Sequence, residues 1–423
     1  MMISNQSSHN SYSEAFVWIW LPGETEPVVA GKLTAEGNQF IFNYGKSYLE
    51  RDNAIPVYRA ELPLRSGALP LLNGLAMPNC IRDASPDAWG RRVVINKKLG
   101  LKGTAADTVE LDELTYLLES GSDRIGALDF QLSPTEYLPR LSINVSLDEL
   151  MESAERVQRG EPLTSELDQA LHHGSSIGGA RPKALIETDD KKYIAKFSAS
   201  TDLYSVVKAE FIAMRLARLA GLNVACVELA QSSHKDVLLI ERFDRASTSK
   251  GWERKCMVSA LTLLGLDELM ARYASYEKLA EIIRHEFRDA SATLRELYSR
   301  IVFNILVGNT DDHARNHAAF WDGEMLSLTP AYDICPQARA GNEATQAMLI
   351  SGNNRMSKLS GCVNAARHFL LSKEEAEEII DYQKQVVDRN WKPVCDEACL
   401  SEVDRDLFWE RQFLNPYIFE GLA

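Results

Sequence analysis

Ten consecutive residues, GNTDDHARNH from Gly308 to His317, constrain this chain more than any other segment. They follow directly on Leu294, Leu297, Ile301 and Ile305, apolar positions that recur at the spacing of one helix face. An apolar stretch resumes after them. A dense cluster of carboxylates, amides and imidazoles is therefore held at a structured boundary, not scattered through a loose surface loop.

Within the cluster Asp311 and Asn316 stand five apart. A kinase catalytic loop has this D-x-x-x-x-N spacing: its carboxylate orients and deprotonates an acceptor hydroxyl, and its amide oxygen binds magnesium. Seventeen residues after Asn316, Asp333 in TPAYDIC is placed like the aspartate of a DFG element, the second metal ligand. Magnesium prefers oxygen and keeps several waters, so one amide, one carboxylate and the phosphates of ATP suffice. The five-residue spacing alone arises often by chance. The Tyr332-Asp333 pair that follows narrows it.

Upstream, GSSIGGARPKAL runs from Gly174 to Leu185. Gly178 and Gly179 let a backbone approach phosphates closely and present several N–H groups. The segment is not a Walker A loop, because Ala180 and Arg181 stand where Lys and Ser or Thr belong. A flexible hairpin with coincidental glycines is the alternative. Lys196 in YIAKF alternates with apolar neighbours on a strand pattern, so it would point into a cleft and can pair with ATP phosphates. Glu210, on the helix expected next, can orient Lys196 by an ion pair or be a solvated helix carboxylate.

The chain has 423 residues, enough for two or three domains or lobes. Its 46 Lys and Arg against 60 Asp and Glu leave a net charge of -14, which disfavours direct nucleic-acid binding and suits a basic partner. Seven cysteines without a C-x-x-C pair read as reduced thiols. Cys395 and Cys399 could face each other across a helical turn, but two ligands do not make a zinc site. No apolar run approaches the roughly 20 residues that span a bilayer, and MMISNQSSHNSYSE lacks the features of a signal peptide. A cytoplasmic location without membrane attachment is the expectation.

From Phe16 to about Arg65 the pattern is strand-like, with Val28–Lys32 and Gln39–Tyr44 flanking a Gly37-Asn38 turn. Ser85-Pro86-Asp87 predicts a helix start, with Ser85 as its cap. A polar helix is expected from Leu147 to about Gln169. Strands are expected over Ala184–Glu187, Tyr193–Phe197 and Val237–Ile240, and a helix over Val206–Leu219 ended by Gly221. Beyond the changeover near Arg245 to Lys250 helices dominate, and Ser372 with Glu375 forms a capping-box pattern.

GGARPKA, IAKF, ERFDR, NTDDHARN and PAYD occur in this order, with DASPDAWGRR upstream at Asp83. In this the chain resembles the HipA-type kinases of bacterial toxin–antitoxin systems, over nearly its whole length. The resemblance implies an α+β, two-lobed, protein-kinase-like fold with a β-rich N-terminal subdomain over 1–140, a nucleotide-binding lobe over 141–247 and an all-helical catalytic lobe over 248–423. It implies an ATP- and Mg2+-dependent serine/threonine protein kinase toxin with Asp311 as base and Asn316 and Asp333 on the metal. Lys196 would contact the phosphates. Gly178, Gly179, Ala180, Arg181 and Lys183 would form the phosphate loop, Glu241, Arg242 and Phe243 the adenine pocket, and His313 would approach the nucleotide. Ser176, or the adjacent Ser175, would be autophosphorylated; its added charge beside the phosphate site should eject the loop. Pro182 departs from some relatives and removes an N–H. The implied partners are a HipB-like DNA-binding antitoxin, which would bring the chain to an operator indirectly, and a protein substrate, with an aminoacyl-tRNA synthetase as the leading guess.

Three other readings compete. His313 and His317 are four apart, as in a zinc hydrolase, but Ala314 stands where H-E-x-x-H needs glutamate. RMSKLS from Arg355 is similar to the KMSKS loop of class I aminoacyl-tRNA synthetases, yet no HIGH-type motif accompanies it, and a surface or helix-start segment is expected. A pseudokinase or interaction protein would be free to lose Lys196, Asp311, Asn316 and Asp333, and all four are present.

Overall fold

The computed structural model describes residues 12–101, 106, 108–140, 147–159, 181–198, 202, 204–232, 235–339 and 341–422. The glycine loop with Ser175, Ser176, Gly178, Gly179 and Ala180 lies outside the described residues, as does the expected helix beyond Arg159.

Strands β1 (Glu14–Ile19), β2 (Val28–Glu36), β3 (Gln39–Tyr44) and β4 (Leu128–Gln131) form an antiparallel sheet in the order β3-β2-β1-β4. Ala15, Val17 and Ile19 alternate into the core, and Gly37 turns β2 into β3 at φ +63°. The strand-like reading stops there. Lys46–Leu49 is a single helical turn, and the chain to Arg65 carries no further strand.

The second sheet runs β5 (Lys183–Glu187), β6 (Lys192–Phe197), β8 (Lys235–Glu241), β7 (Val227–Ser232), all antiparallel neighbours. Period-2 alternation gives β6 two faces. Ala195 and Phe197 pack with Trp89, Val93, Leu150 and Met151, whereas Ile194 and Lys196 face a cleft. The Val206–Leu219 helix packs against β7 and β8 and ends before Gly221, at φ +83°.

The hairpin β9 (Arg245–Thr248)–β10 (Gly251–Arg254) marks the changeover. Helices then dominate: Tyr276–Glu286, Ala290–Leu306, Leu359–Ala365, Lys373–Glu397 and Glu402–Phe408. The C-terminal half is not all-helical, however. It carries a three-stranded sheet of β11 (Met257–Ser259), β12 (Ala318–Trp321) and β13 (Leu326–Leu328), each too short to show a period in sequence. The capping box at Ser372 and Glu375 forms as expected. Ser85 caps nothing: the helix Ala88–Leu99 begins at Asp87, and the Ser85 hydroxyl donates to Glu113 at 3.2 Å. Cys399 lies beyond the Lys373–Glu397 helix at φ +47°, so it does not share a helical face with buried Cys395. In RMSKLS, Lys358 is the N-cap of Leu359–Ala365, a helix start.

Candidate active site

The Ala290–Leu306 helix buries Leu294, Leu297, Ile301 and Ile305 and delivers the chain to Gly308 at φ +70°. A Cβ there would meet the Gln412 carbonyl oxygen at 2.5 Å, so close backbone approach and positive φ both demand glycine. The loop that follows separates its two aspartates. Asp312 is buried and accepts from Tyr276 Oη, from Asn304 Nδ2 at 2.7 Å and from His317 Nε2 at 2.9 Å. Burial would raise its pKa, but His317 and Tyr276 outweigh that and hold it below the ordinary range. An ionised carboxylate only accepts, so Nε2 of His317 carries the proton. His313 and His317 flank a three-residue 3-10 turn, with His317 committed to Asp312; they do not form a zinc pair on a helix face.

Asp311 points the other way. It is exposed, although neighbouring atoms remove enough water from its carboxyl to raise the pKa; His313 opposes this and the Asp333 charge adds to it. Asn316 donates from Nδ2 to the Asp311 carbonyl at 3.3 Å, which turns its Oδ1 away from that carbonyl, and the side chain lines the cleft.

Lys196 is the centre of charge. Its Nζ lies 2.6 Å from Glu210 Oε1 and also bonds Asp333 Oδ1. Burial disfavours the ammonium, yet Asp333 and then Glu210 hold its pKa raised. Glu210 is itself buried, 3% exposed, so it orients Lys196 and is not a solvated carboxylate. Burial raises the Glu210 pKa, with Lys196 opposing. Asp333 is also desolvated, but Lys196 and then Lys183 hold it well below the carboxylate range. Lys183 sits directly across from Lys196 in the β5–β6 register; burial and its neighbour's like charge lower its pKa. Asp333 adopts φ +58°, a left-handed conformation that costs free energy for a residue with a side chain and concentrates at functional positions.

Lys183, Lys196, Glu241, Arg242, Phe243, His313, Asn316 and Asp333 line one cleft. Ile194, Ile240 and Phe243 give it an apolar wall, and the Phe243 ring packs against Tyr332. The Arg242 guanidinium is spent on structure, binding Asp123 at 3.0 Å and Asp244 at 2.8 Å. The amides of Glu241 and Arg242 donate to the carbonyls of Cys226 and Lys192, so a base here would be read by other main-chain groups. Arg181 pairs with Asp202 at 2.8 Å and is not among the cleft-lining residues.

Sequence reasoning missed the third wall. Asp83, Ala84, Ser85 and Asp87, together with Ile125–Leu128, line the same cleft. The motif DASPDAWGRR marked the place, but nothing local reveals that Asp87 meets Arg315 of the Gly308–His317 loop at 2.8 Å.

One amide and one carboxylate facing two lysines fit a magnesium–triphosphate group: the oxygens suit the metal, and the ammonium groups suit the phosphates. No group of three or more His, Cys, Asp or Glu side chains able to hold a metal ion by itself occurs among the described residues, nor does a helix long and apolar enough to cross a membrane.

Comparison with known proteins gives relatives among bacterial kinases. The putative kinase Y4mE of Sinorhizobium fredii is 25% identical over 347 residues, 75% of this chain and 76% of its own length. The serine/threonine-protein kinase toxin HipA of Shewanella oneidensis is 26% identical over 188 residues, 38% of this chain and 42% of its own. In three dimensions the chain shares its fold with a structure of the Shewanella oneidensis toxin–antitoxin complex of HipA, HipB and operator DNA, at a TM-score of 0.66, 18% identity and 93% coverage of both chains. The HipA N-terminal domain model matches residues 19–131 and the HipA-like C-terminal domain model matches residues 175–391, just over half of the sequence. The chain belongs to the HipA family of protein kinases.

Proposed function

We propose that this chain is an ATP- and Mg2+-dependent serine/threonine protein kinase acting as the toxin of a toxin–antitoxin pair. The observation that carries this reading is Lys196 held between Glu210 and Asp333 in the cleft that Asn316 also lines. Bound ATP supplies the transferable phosphoryl group, and magnesium neutralises its developing charge. The chain's own part is to position and to exclude. Asn316 and Asp333 would hold the metal, Lys196 and Lys183 would bind phosphate oxygens, and the exposed Asp311 would accept the proton of the acceptor hydroxyl. Asp311 suits a base because it is exposed, while anchoring of the loop falls to its neighbour Asp312.

The nucleotide-binding lobe would span 141–247 and the catalytic lobe 248–423, with 1–140 attached as the β-rich subdomain. Gly178 to Lys183 would cover the phosphates, and Ser176 or Ser175 would take phosphate in autophosphorylation. A HipB-like antitoxin is the partner that the solved relative supports. An aminoacyl-tRNA synthetase is the leading substrate class, and a cytoplasmic location follows from it. Expressed without its antitoxin, the chain should slow growth, and Asp333→Ala should relieve the effect. Persistent toxicity of that variant would count against the mechanism.

A further inference from the structure

The segment from Asp83 to Val93 touches both sides of the cleft. At its start, Asp83 accepts from the Ser259 amide, the Ser259 hydroxyl and the Thr262 hydroxyl, each at 2.7 Å, which fixes it to β11 and the turn after it. Four residues on, Asp87 pairs with Arg315 Nη1 at 2.8 Å. At its end, Trp89 and Val93 pack under Ala184, Ala195 and Phe197, on the face of β5 and β6 opposite Lys196. One short stretch therefore grips the back of the sheet that carries Lys196 and the front of the loop that carries Asn316.

Arg315 is the junction on the loop side. Its guanidinium also meets Glu268, and its carbonyl accepts from Tyr332 Oη at 2.7 Å, one residue before Asp333. The side chain is about one-quarter exposed, as is that of Asp87, so the pair is partly desolvated and screened less than a surface pair.

We infer that Asp87 and Arg315 are positioning residues: their ion pair braces the N-terminal segment against the Gly308–His317 loop and sets the distance between Lys196, already paired with Asp333, and Asn316 across the cleft. What is positioned rests on the kinase reading; the brace itself does not. Asp87 lines the cleft and acts through its pair with Arg315.

The test uses the full chain with Asp87→Asn, which keeps the side-chain shape, with Arg315→Gln, and with both together. In nucleotide-free protein, hydrogen exchange of the Asn316 amide, which donates to His313 at 2.8 Å, should speed up about tenfold in either single variant. Exchange in the Ala290–Leu306 helix should stay as in wild type. The Mg2+ concentration giving half-maximal transfer from γ-labelled ATP should rise about threefold to tenfold, and the double variant should be no worse than the worse single one. Unchanged exchange at Asn316, effects that multiply in the double variant, or a general loss of protection in Asp87→Asn would each overturn the inference. If wild type itself transfers no phosphate, the kinase reading falls, and the exchange measurement still decides the brace.

Discussion

Asp312 Oδ2 and His317 Nε2 meet at 2.9 Å across the interior of the Gly308–His317 loop, both side chains buried. The pair has the same five-residue spacing as Asp311 and Asn316 and is shifted by one position. The loop thus sets an exposed Asp311 beside an Asp312 that is turned inward as a clamp.

Neighbouring aspartates should therefore respond in opposite ways. Asp312→Ala leaves His317, Tyr276 and Asn304 without their shared acceptor, and loss of one partner from a buried charged network costs roughly 3–5 kcal/mol. Asp311→Ala removes an exposed side chain and should change stability by less than about 0.5 kcal/mol while abolishing transfer. Urea unfolding of the two variants, read beside ATP turnover, separates the roles.

Glu210→Gln should weaken ATP binding about tenfold, because neutralising Glu210 lets Lys196 lean wholly on Asp333 and compete with the metal for that carboxylate. Titration calorimetry at two magnesium concentrations checks this. More magnesium should recover part of the loss.

Stability should carry an acid signature from the Arg242–Asp244–Arg245 cluster. Burial would raise the Asp244 pKa, but Arg242 and then Arg245 hold it at about 2. A depressed folded pKa gives stability that is fully present above the unfolded value of about 3.9 and lost as pH falls through the folded one. Asp244→Asn should thus be less stable than wild type at neutral pH, with the gap narrowing between about pH 4 and pH 2. A gap that stays constant across that window would contradict the linkage.

Gly308→Ala should disturb the whole loop, since the added Cβ would meet the Gln412 carbonyl at 2.5 Å in a left-handed conformation. A cost above about 1 kcal/mol, with transfer reduced, is expected in thermal unfolding and turnover assays.

Much of this was legible in the chain because it is local. The Val206–Leu219 helix, the Ser372–Glu375 capping box and the Gly37 hairpin depend on residues a few positions apart, and all three form as read. Ser85 obeyed the same local rules and still caps nothing, because Glu113 takes its hydroxyl. The setting of Glu210 could not be read from its own helix, since it pairs with Lys196 on a strand, which Asp333 also contacts. The Asp87–Arg315 pair joins segments more than two hundred positions apart, and no spacing rule reaches that far. The short strands β11–β13 escaped because three or four residues carry no period.

The most direct test is transfer of phosphate from γ-labelled ATP, to protein or to water, by wild type, Asp311→Ala and Asp333→Ala, with folding verified by circular dichroism. Magnesium-dependent transfer by wild type, lost in both folded variants, is the expected result. Equal transfer by wild type and Asp311→Ala, or transfer by wild type that persists without a divalent ion, would contradict the site described here.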